Sequence, residues 1–517
     1  MAQEKSQLKI GIVLNYVNMI LGNLIPIFYT PIMLTLLGQS EYGLYKLASS
    51  VTSYLSLISM GLGSAITRYL IKSREEEGKE AEERMFGLFD VIFNVIAVAA
   101  LIVGAILTMC IPLWYAKSLT AEELSRMQLL VFMMVINMAL SFSQSPYLSV
   151  VSAHEKFLFL QCMNIVSTCG VPCLSLVALY LGFGSVGMTI AAMAASILTR
   201  IAYQVYVRRK MQLRPRLKNL PTDKLKEILG FSFWIFVANV VGQLYNTTDT
   251  VMIGLIPALA TTGVAIYNVG GTFNGIMSSL TTGVSSLLSP KANRMVFQHA
   301  SNEELTELSI RIGRIQAYIM ALIVSGFVAF GKPFIAFYAG YEYMESYWVA
   351  VLIMIPNMIP LLQSMCLSIL VAQNKHRFRS IVYLAMAITN VIGTWFLMQR
   401  WGVIGAALMS GIALVVGNGF IMNWYYQKRT GLNMARFWKE IGGILVCPTF
   451  MCVVTAFLSE IINFYDVVNL ILGIVVYTAI YCAANWFFVM NRYERELTVG
   501  TAKEALHKLH RGRKERR

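Results

Sequence analysis

Apolar runs close to the length needed to cross a bilayer recur along this chain from residue 10 to residue 490. A helix of about 20 residues spans the hydrocarbon core. Within lipid, backbone amides and carbonyls must be satisfied inside the segment or around a closed barrel. Long apolar runs without short alternating segments select helices over a barrel. Hydrophobic residues make up 57% of the 517 positions and charged residues 13%, too little polar surface for a soluble protein of this size. The sequence predicts an all-α integral membrane protein.

Fourteen transmembrane helices are expected, over 10–36, 43–67, 87–113, 128–150, 157–181, 186–207, 230–256, 263–289, 313–338, 347–371, 380–399, 403–426, 441–460 and 467–490. Lysine and arginine set their orientation. The stretch RRKMQLRPRLKNLPTDKLK (208–226) is densely basic, as are 373–379, 427–439 and the tail 491–517, whereas 182–185 and 257–262 carry no Lys or Arg. Even-numbered loops and both termini are therefore expected in the cytoplasm. The net charge of +15 reads as this topology signal, with some attraction for anionic membrane lipids and no nucleic-acid partner. The first run is too long for a signal-peptide core and is expected to be retained. Cysteines 110, 162, 169, 173, 366, 447, 452 and 482 all fall within spans, so neither disulfides nor a zinc site is expected.

Three segments have echoes in the same order. EYGLYKLASSVTSY (41–54) pairs with GVAIYNVGGTFNGI (263–276), LSVVSAHEKF (148–157) with LSILVAQNKHRF (367–378), and 182–196 with 399–413. A six-helix unit duplicated in tandem accounts for this. Six is even, so both copies enter the membrane the same way round, as parallel repeats about an axis along the membrane normal. The expected organisation is an N-terminal six-helix lobe (1–207), a basic cytoplasmic linker (208–229) and a C-terminal six-helix lobe (230–426). Two further helices (427–490) and a basic cytoplasmic tail (491–517) complete it.

Polar residues at helical spacing mark the faces that avoid lipid. The second span carries Lys46, Ser50, Ser53, Gly61, Ser64 and Arg68, interrupted by Leu57. The eighth carries Asn268, Thr272, Gly275, Ser279, Thr282, Ser286 and Ser289, ending beside Lys291. The seventh adds Ser232, Asn239, Gln243, Asn246 and Thr250 with Asp249 alongside, and the first adds Asn15 and Asn18. One such row permits tight helix packing. Four rows on repeat-related helices point instead to a hydrated cavity. Lys46 lies near the outer end of its span, where the orientation rule does not call for a cation, and reads as a ligand contact. Arg68 and Lys291 lie near cytoplasmic ends, where anchoring and ligand contact both fit. Asp249 can either pair with Lys46 or take up a coupling ion, H+ or Na+.

GFGSVG (182–187) matches a dinucleotide-binding pattern but falls in a short turn between two membrane spans. No GxxxxGKS or GxxxxGKT stretch and no HExxH spacing is present, so no ATP hydrolysis, metal or cofactor is expected and the chain does not read as an enzyme.

LTLLGQSEYGLYKL at the first helix junction, GLGSAITRYL, LYNTTDTVMIG, LSPKANR and the VSAHEKF and VAQNKHRF turns carry a family resemblance. The chain resembles the polysaccharide or O-antigen (Wzx-like) flippases of the multidrug/oligosaccharidyl-lipid/polysaccharide exporter superfamily. That resemblance implies movement of a lipid-linked oligosaccharide, carried on undecaprenyl pyrophosphate, across the bacterial cytoplasmic (inner) membrane by alternating access. It also implies cationic cavity residues, mapping here onto Lys46, Arg68 and Lys291. A drug/cation antiporter of the same superfamily is the rival, favoured by acidic and aromatic cavity residues. A membrane-embedded glycan polymerase or ligase would need a sizeable external loop, and the external loops here are short.

Overall fold

The computed structural model describes residues 2–496, without the side chains of residues 2–9, Ile12, Ser64, Trp234, Leu287 and His376. Ser64 of the second-span row and the tail beyond residue 496 thus lie outside the described residues. Helices dominate and no strand occurs among the described residues. They are α1 (Ala2–Ser53), α2 (Leu62–Glu77), α3 (Lys79–Tyr115), α4 (Ala121–Ala153), α5 (Phe157–Tyr180), α6 (Gly184–Val205) and α7 (Leu225–Gly254). After these come α8 (Ala260–Phe297), α9 (Asn302–Tyr338), α10 (Ser346–Leu362), α11 (Ser364–Ala372), α12 (His376–Leu414), α13 (Met434–Ile461) and α14 (Val467–Ala484).

Ten helices among the described residues are long and apolar enough to cross a membrane, or eleven when the bent pair α10–α11, angled at 41°, is taken as one span. The difference from fourteen has physical causes. Two long helices run through a single left-handed glycine, Gly38 (φ 74°) in α1 and Gly402 (φ 57°) in α12, where the sequence predicts separate helices. A side chain would be strained at either position. α8, rich in Ser, Thr and Gly, falls outside the apolar set.

The second predicted span is not one continuous helix. It passes into a 3₁₀ stretch, Tyr54–Ser59, and then through left-handed Met60 (φ 47°) and Gly61 (φ 70°) before α2 begins. A Cβ on Gly61 would lie 2.9 Å from Ile235 Cγ2, so α7 packs directly on the break. Lys46, Ser50 and Ser53 therefore lie on one helix and Arg68 on another, and a single face linking all four is corrected. The periodicity could not see this, because it assumes 3.6 residues per turn throughout.

Three pairs of positive-φ residues, Gly38 and Ala260, Glu155 and Asn374, and Gly184 and Gly402, fall at or within one residue of positions that the sequence alignments pair. The third pair moves the 182–196 alignment by one residue.

The chain divides into two compact units. Unit 1 takes the chain up to Thr272 with Ser380–Ala413, and unit 2 takes Phe273–Arg379 with the chain from Leu414 onward. In unit 1 a dry cluster of Ile66, Phe86, Phe89, Phe93, Tyr147 and Tyr203 joins α2, α3, α4 and α6. In unit 2, Phe330 of α9 meets Phe464 and Tyr477 edge-on, at 5.1 and 5.6 Å between ring centroids. Large apolar side chains face outward along the helices, among them Val95, Ile102 and Met109 of α3 and Val446, Phe450 and Phe457 of α13. In a membrane-spanning chain that surface is solvated by lipid tails.

Candidate functional site

Within unit 1 the polar rows of α1 and α7 meet side to side. Gln243 donates from Nε2 to Ser53 Oγ, in a very short contact, and to Thr247 Oγ1 at 3.0 Å. Tyr54 and Thr248 share a hydrogen bond of 2.6 Å. Ser53 also donates to the Ser50 carbonyl at 2.7 Å. The amide and hydroxyl side chains that the sequence places on separate spans thus form one hydrogen-bonded seam. Asn239 and Asn246 are exposed on α7.

Lys46 sits one turn before Ser50 on α1, half-buried, with its ammonium 5.5 Å from the Tyr42 ring centroid. It forms no ion pair among the described residues. A cation held over an aromatic face keeps its N–H donors available to another ligand.

Asp249 does not pair with Lys46. Its side chain is 2% exposed and sits in a pocket of neutral donors. Tyr267 Oη and Ser410 Oγ each donate to it at 2.6 Å, and Thr394 Oγ1 approaches at 3.4 Å. Behind them, Asn390 donates to Ser410 Oγ at 3.2 Å and accepts from Thr394 at 3.3 Å. The four partners come from α8 and α12, so the cluster draws on three helices of unit 1. Four oxygen-bearing side chains gather around one carboxylate without a counter-charge, an arrangement able to hold a proton or a small hard cation. Sequence reasoning missed Tyr267, Asn390, Thr394 and Ser410. A signal existed: Asn390 and Thr394 stand at an i, i+4 spacing in the middle of a mostly apolar span.

The remaining predicted residues are distributed. Asn268 donates to the Val264 carbonyl at 2.9 Å and to Thr250 at 3.4 Å, linking α8 to α7, and Thr272 donates back to the Asn268 carbonyl. Asn18 accepts from Thr168 of α5 at 2.9 Å, while Asn15 is exposed on α1. Arg68 is exposed, with its guanidinium 4.7 Å from the Phe231 ring centroid of α7. Lys291 lies in unit 2, in a surface pocket of about 340 Å³ that it shares with Glu303, Glu304, Glu307 and Arg311. Its surroundings are thus acidic, unlike those of Lys46.

No group of three or more His, Cys, Asp or Glu side chains able to hold a metal ion occurs among the described residues.

A family model described as polysaccharide biosynthesis protein matches residues 8–290, more than half of the chain. The chain belongs to that family. No curated protein matches it. Among solved structures, this family member is similar to the lipid II flippase MurJ in its inward closed conformation, with a TM-score of 0.72 at 15% identity over 92% of this chain and 98% of that one. It also resembles the Vibrio cholerae MATE transporter VcmN in the bent form, with a TM-score of 0.54 at 16% identity over 83% and 98%. The MATE multidrug transporter DinF-BH aligns with a TM-score of 0.57 at 16% identity over 83% and 96%. At these identities the likeness establishes the fold. Family and fold together meet the expectation of a multi-pass, all-helical membrane protein of the polysaccharide biosynthesis family.

Proposed function

We propose that this family member translocates a lipid-linked oligosaccharide, on a polyprenyl pyrophosphate carrier of the undecaprenyl type, across the cytoplasmic membrane for surface polysaccharide synthesis. Residues 1–207 and 230–426 act as two lobes that open alternately to the two leaflets, with both termini in the cytoplasm. Lys46 meets the pyrophosphate or an acidic sugar, and Arg68 takes part from the cytoplasmic end. The amide and hydroxyl seam of Ser50, Ser53 and Gln243 serves sugar hydroxyls, with Asn246, Asn15, Asn18, Asn239, Asn268, Thr272 and Lys291 as further contacts. Asp249 takes up a coupling H+ or Na+.

The observation that carries this reading is the unpaired Lys46. A half-buried lysine without a carboxylate partner in a membrane helix is costly unless an anion visits it. A pyrophosphate entering low dielectric needs such a partner in turn. The polysaccharide biosynthesis family supports the same substrate class over a cationic drug.

The test is a Lys46→Gln variant expressed at the wild-type level in cells whose surface polysaccharide depends on this chain. Delivery of the lipid-linked glycan to the outer leaflet, followed by a glycan-specific lectin, is expected to fall at least tenfold, with Lys46→Arg retaining most of it. Unchanged delivery by Lys46→Gln would remove the proposal.

A further inference from the structure

Unit 2 contains a second cation that the transport reading leaves unused. Lys332 lies six residues before the end of α9, roughly 9 Å along the helix at its 1.5 Å rise. By the proposed orientation this is the outer end, where the positive-inside pattern does not call for a lysine. Its ammonium stands 5.5 Å from the Tyr347 ring centroid and 5.3 Å from that of Trp348. Among the described residues it forms no ion pair. The two rings hold it from one side and leave its other N–H donors free to act.

Those donors line a cavity of about 390 Å³ between α9, α10 and α13, within the range of pockets that bind small ligands. Asn463 and Tyr465 line its mouth and Cys452 lines it further down α13. Cys452 is nine residues from the end of α13, so the slot runs inward by about 14 Å. Hydrogen bonding within the wall decides what the slot can still offer. Asn463 Oδ1 accepts from the Tyr465 amide at 3.0 Å, which turns its NH₂ group away from that contact. Ser459 spends its proton on the Ala456 carbonyl at 2.7 Å and keeps only lone pairs. The slot therefore presents a cation and an amide donor for an anion, with an acceptor for a hydroxyl nearby. Its walls are membrane helices, and Phe337 and Phe457 on the same helices are about two-thirds exposed, at 66% and 68%.

We infer that this slot binds the phosphate of an anionic phospholipid headgroup, with Lys332 as the phosphate contact and the acyl chains lying against α9 and α13. This site is distinct from the basic cytoplasmic loops. Its assignment to the outer leaflet rests on the proposed orientation, whereas binding itself does not.

The experiment is native mass spectrometry of the purified full chain in detergent, with phosphatidylglycerol, phosphatidylethanolamine or inorganic phosphate added. Wild type is expected to retain phosphatidylglycerol, Lys332→Gln to lose at least tenfold in occupancy, and Lys332→Arg and a cytoplasmic control, Lys210→Gln, to keep it. Asn463→Leu gives an independent loss should Lys332→Gln melt below wild type. Equal retention by Lys332→Gln and Asn463→Leu overturns the site, as does equal binding of the zwitterionic lipid. Displacement by inorganic phosphate at matching concentration shows a free-anion site and overturns the lipid assignment. Labelling of Asn463→Cys by an impermeant maleimide from outside supports the outer leaflet, and labelling only from the cytoplasm overturns that placement alone.

Discussion

Arg314 offers a quantitative test of how unit 2 is held together. Its side chain is 9% exposed and forms a two-pronged ion pair with Glu494, Nε to Oε1 at 2.6 Å and an Nη to Oε2 at 3.0 Å. Tyr318 Oη also donates to Glu494 at 3.0 Å, and the Asn491 amide donates at 2.9 Å. Arg314 further donates to the Val489 carbonyl at 3.1 Å and approaches Glu440 at 3.4 Å. The group clamps the chain leaving α14 onto α9. Removing one member of a buried pair costs about 3–5 kcal/mol, because the other charge is left buried and uncompensated. Glu440 offers partial relief to Arg314, so Glu494→Ala is expected at the lower end, about 3 kcal/mol. For a folding unit of roughly this size that is a fall of about 6–12 °C in Tm. Arg314→Met is expected to cost a similar amount. The double variant Arg314→Met/Glu494→Leu should lose no more than about 2 kcal/mol, since it removes both charges together. The assay is thermal unfolding of the purified protein in detergent, followed by tryptophan fluorescence, completed as a double-mutant cycle. A double variant that loses the sum of the singles would refute the reasoning. Acid adds a second reading. Burial opposes ionisation of Glu494, but the Arg314 hydrogen bonds and the Asn491 amide outweigh it and hold the carboxyl below its ordinary value. That stabilisation is complete above the unfolded value of about 4.3 and declines as pH falls below it toward the lower folded value. Wild type should therefore lose Tm between about pH 5 and 3, where Glu494→Gln stays flat.

Two other perturbations follow from the geometry of unit 1. Asp249→Asn is expected to abolish the ion dependence of glycan delivery, and Tyr267→Phe, which removes one 2.6 Å donor, to weaken it several-fold with the fold intact; delivery by both variants with unaltered dependence on pH and Na+ would rule out a coupling role. A Cβ on Gly43 would lie 1.8 Å from the Thr261 carbonyl oxygen, so Gly43→Ala should destabilise by about 1–3 kcal/mol. Gly22→Ala, with nothing within 4 Å, should be neutral or stabilising by up to about 1 kcal/mol, and equal melting of the two variants would contradict the packing.

Hydropathy and the repeat made the membrane class and the order of the helices legible, because lipid leaves so few alternatives to an apolar helix. Helix ends were less legible. α9 begins eleven residues before its predicted span, at a capping box in which Ser301 and Glu304 bond each other's backbone amides. The S-x-x-E pattern was present in the sequence, as was T-x-x-E at Thr120 and Glu123. A search for apolar runs does not see the polar and amphipathic turns by which a helix extends past its apolar stretch. The same bias hid Arg314, which lies at the edge of the predicted span, and its partner Glu494, 180 residues away. In the candidate site, the rows on the first, second, seventh and eighth spans supplied Lys46, Gln243 and Asp249. The partners from α12 went unseen because the Asn390/Thr394 pair and Ser410 carry no charge to draw notice, and only the fold brings them to Asp249.

The interruption at Met60 and Gly61 has a consequence for solvent. A helix that stops and restarts midway across a bilayer gives up ladder bonds that hydrocarbon cannot replace. The peptide groups of that stretch must therefore look onto protein or water, never onto acyl chains. With α7 packed against one side of the break and Ile58 packed into the aromatic cluster of α2, α3, α4 and α6, neighbouring helices shield the stretch from acyl chains, and the main chain alone sets that requirement before any side chain is considered.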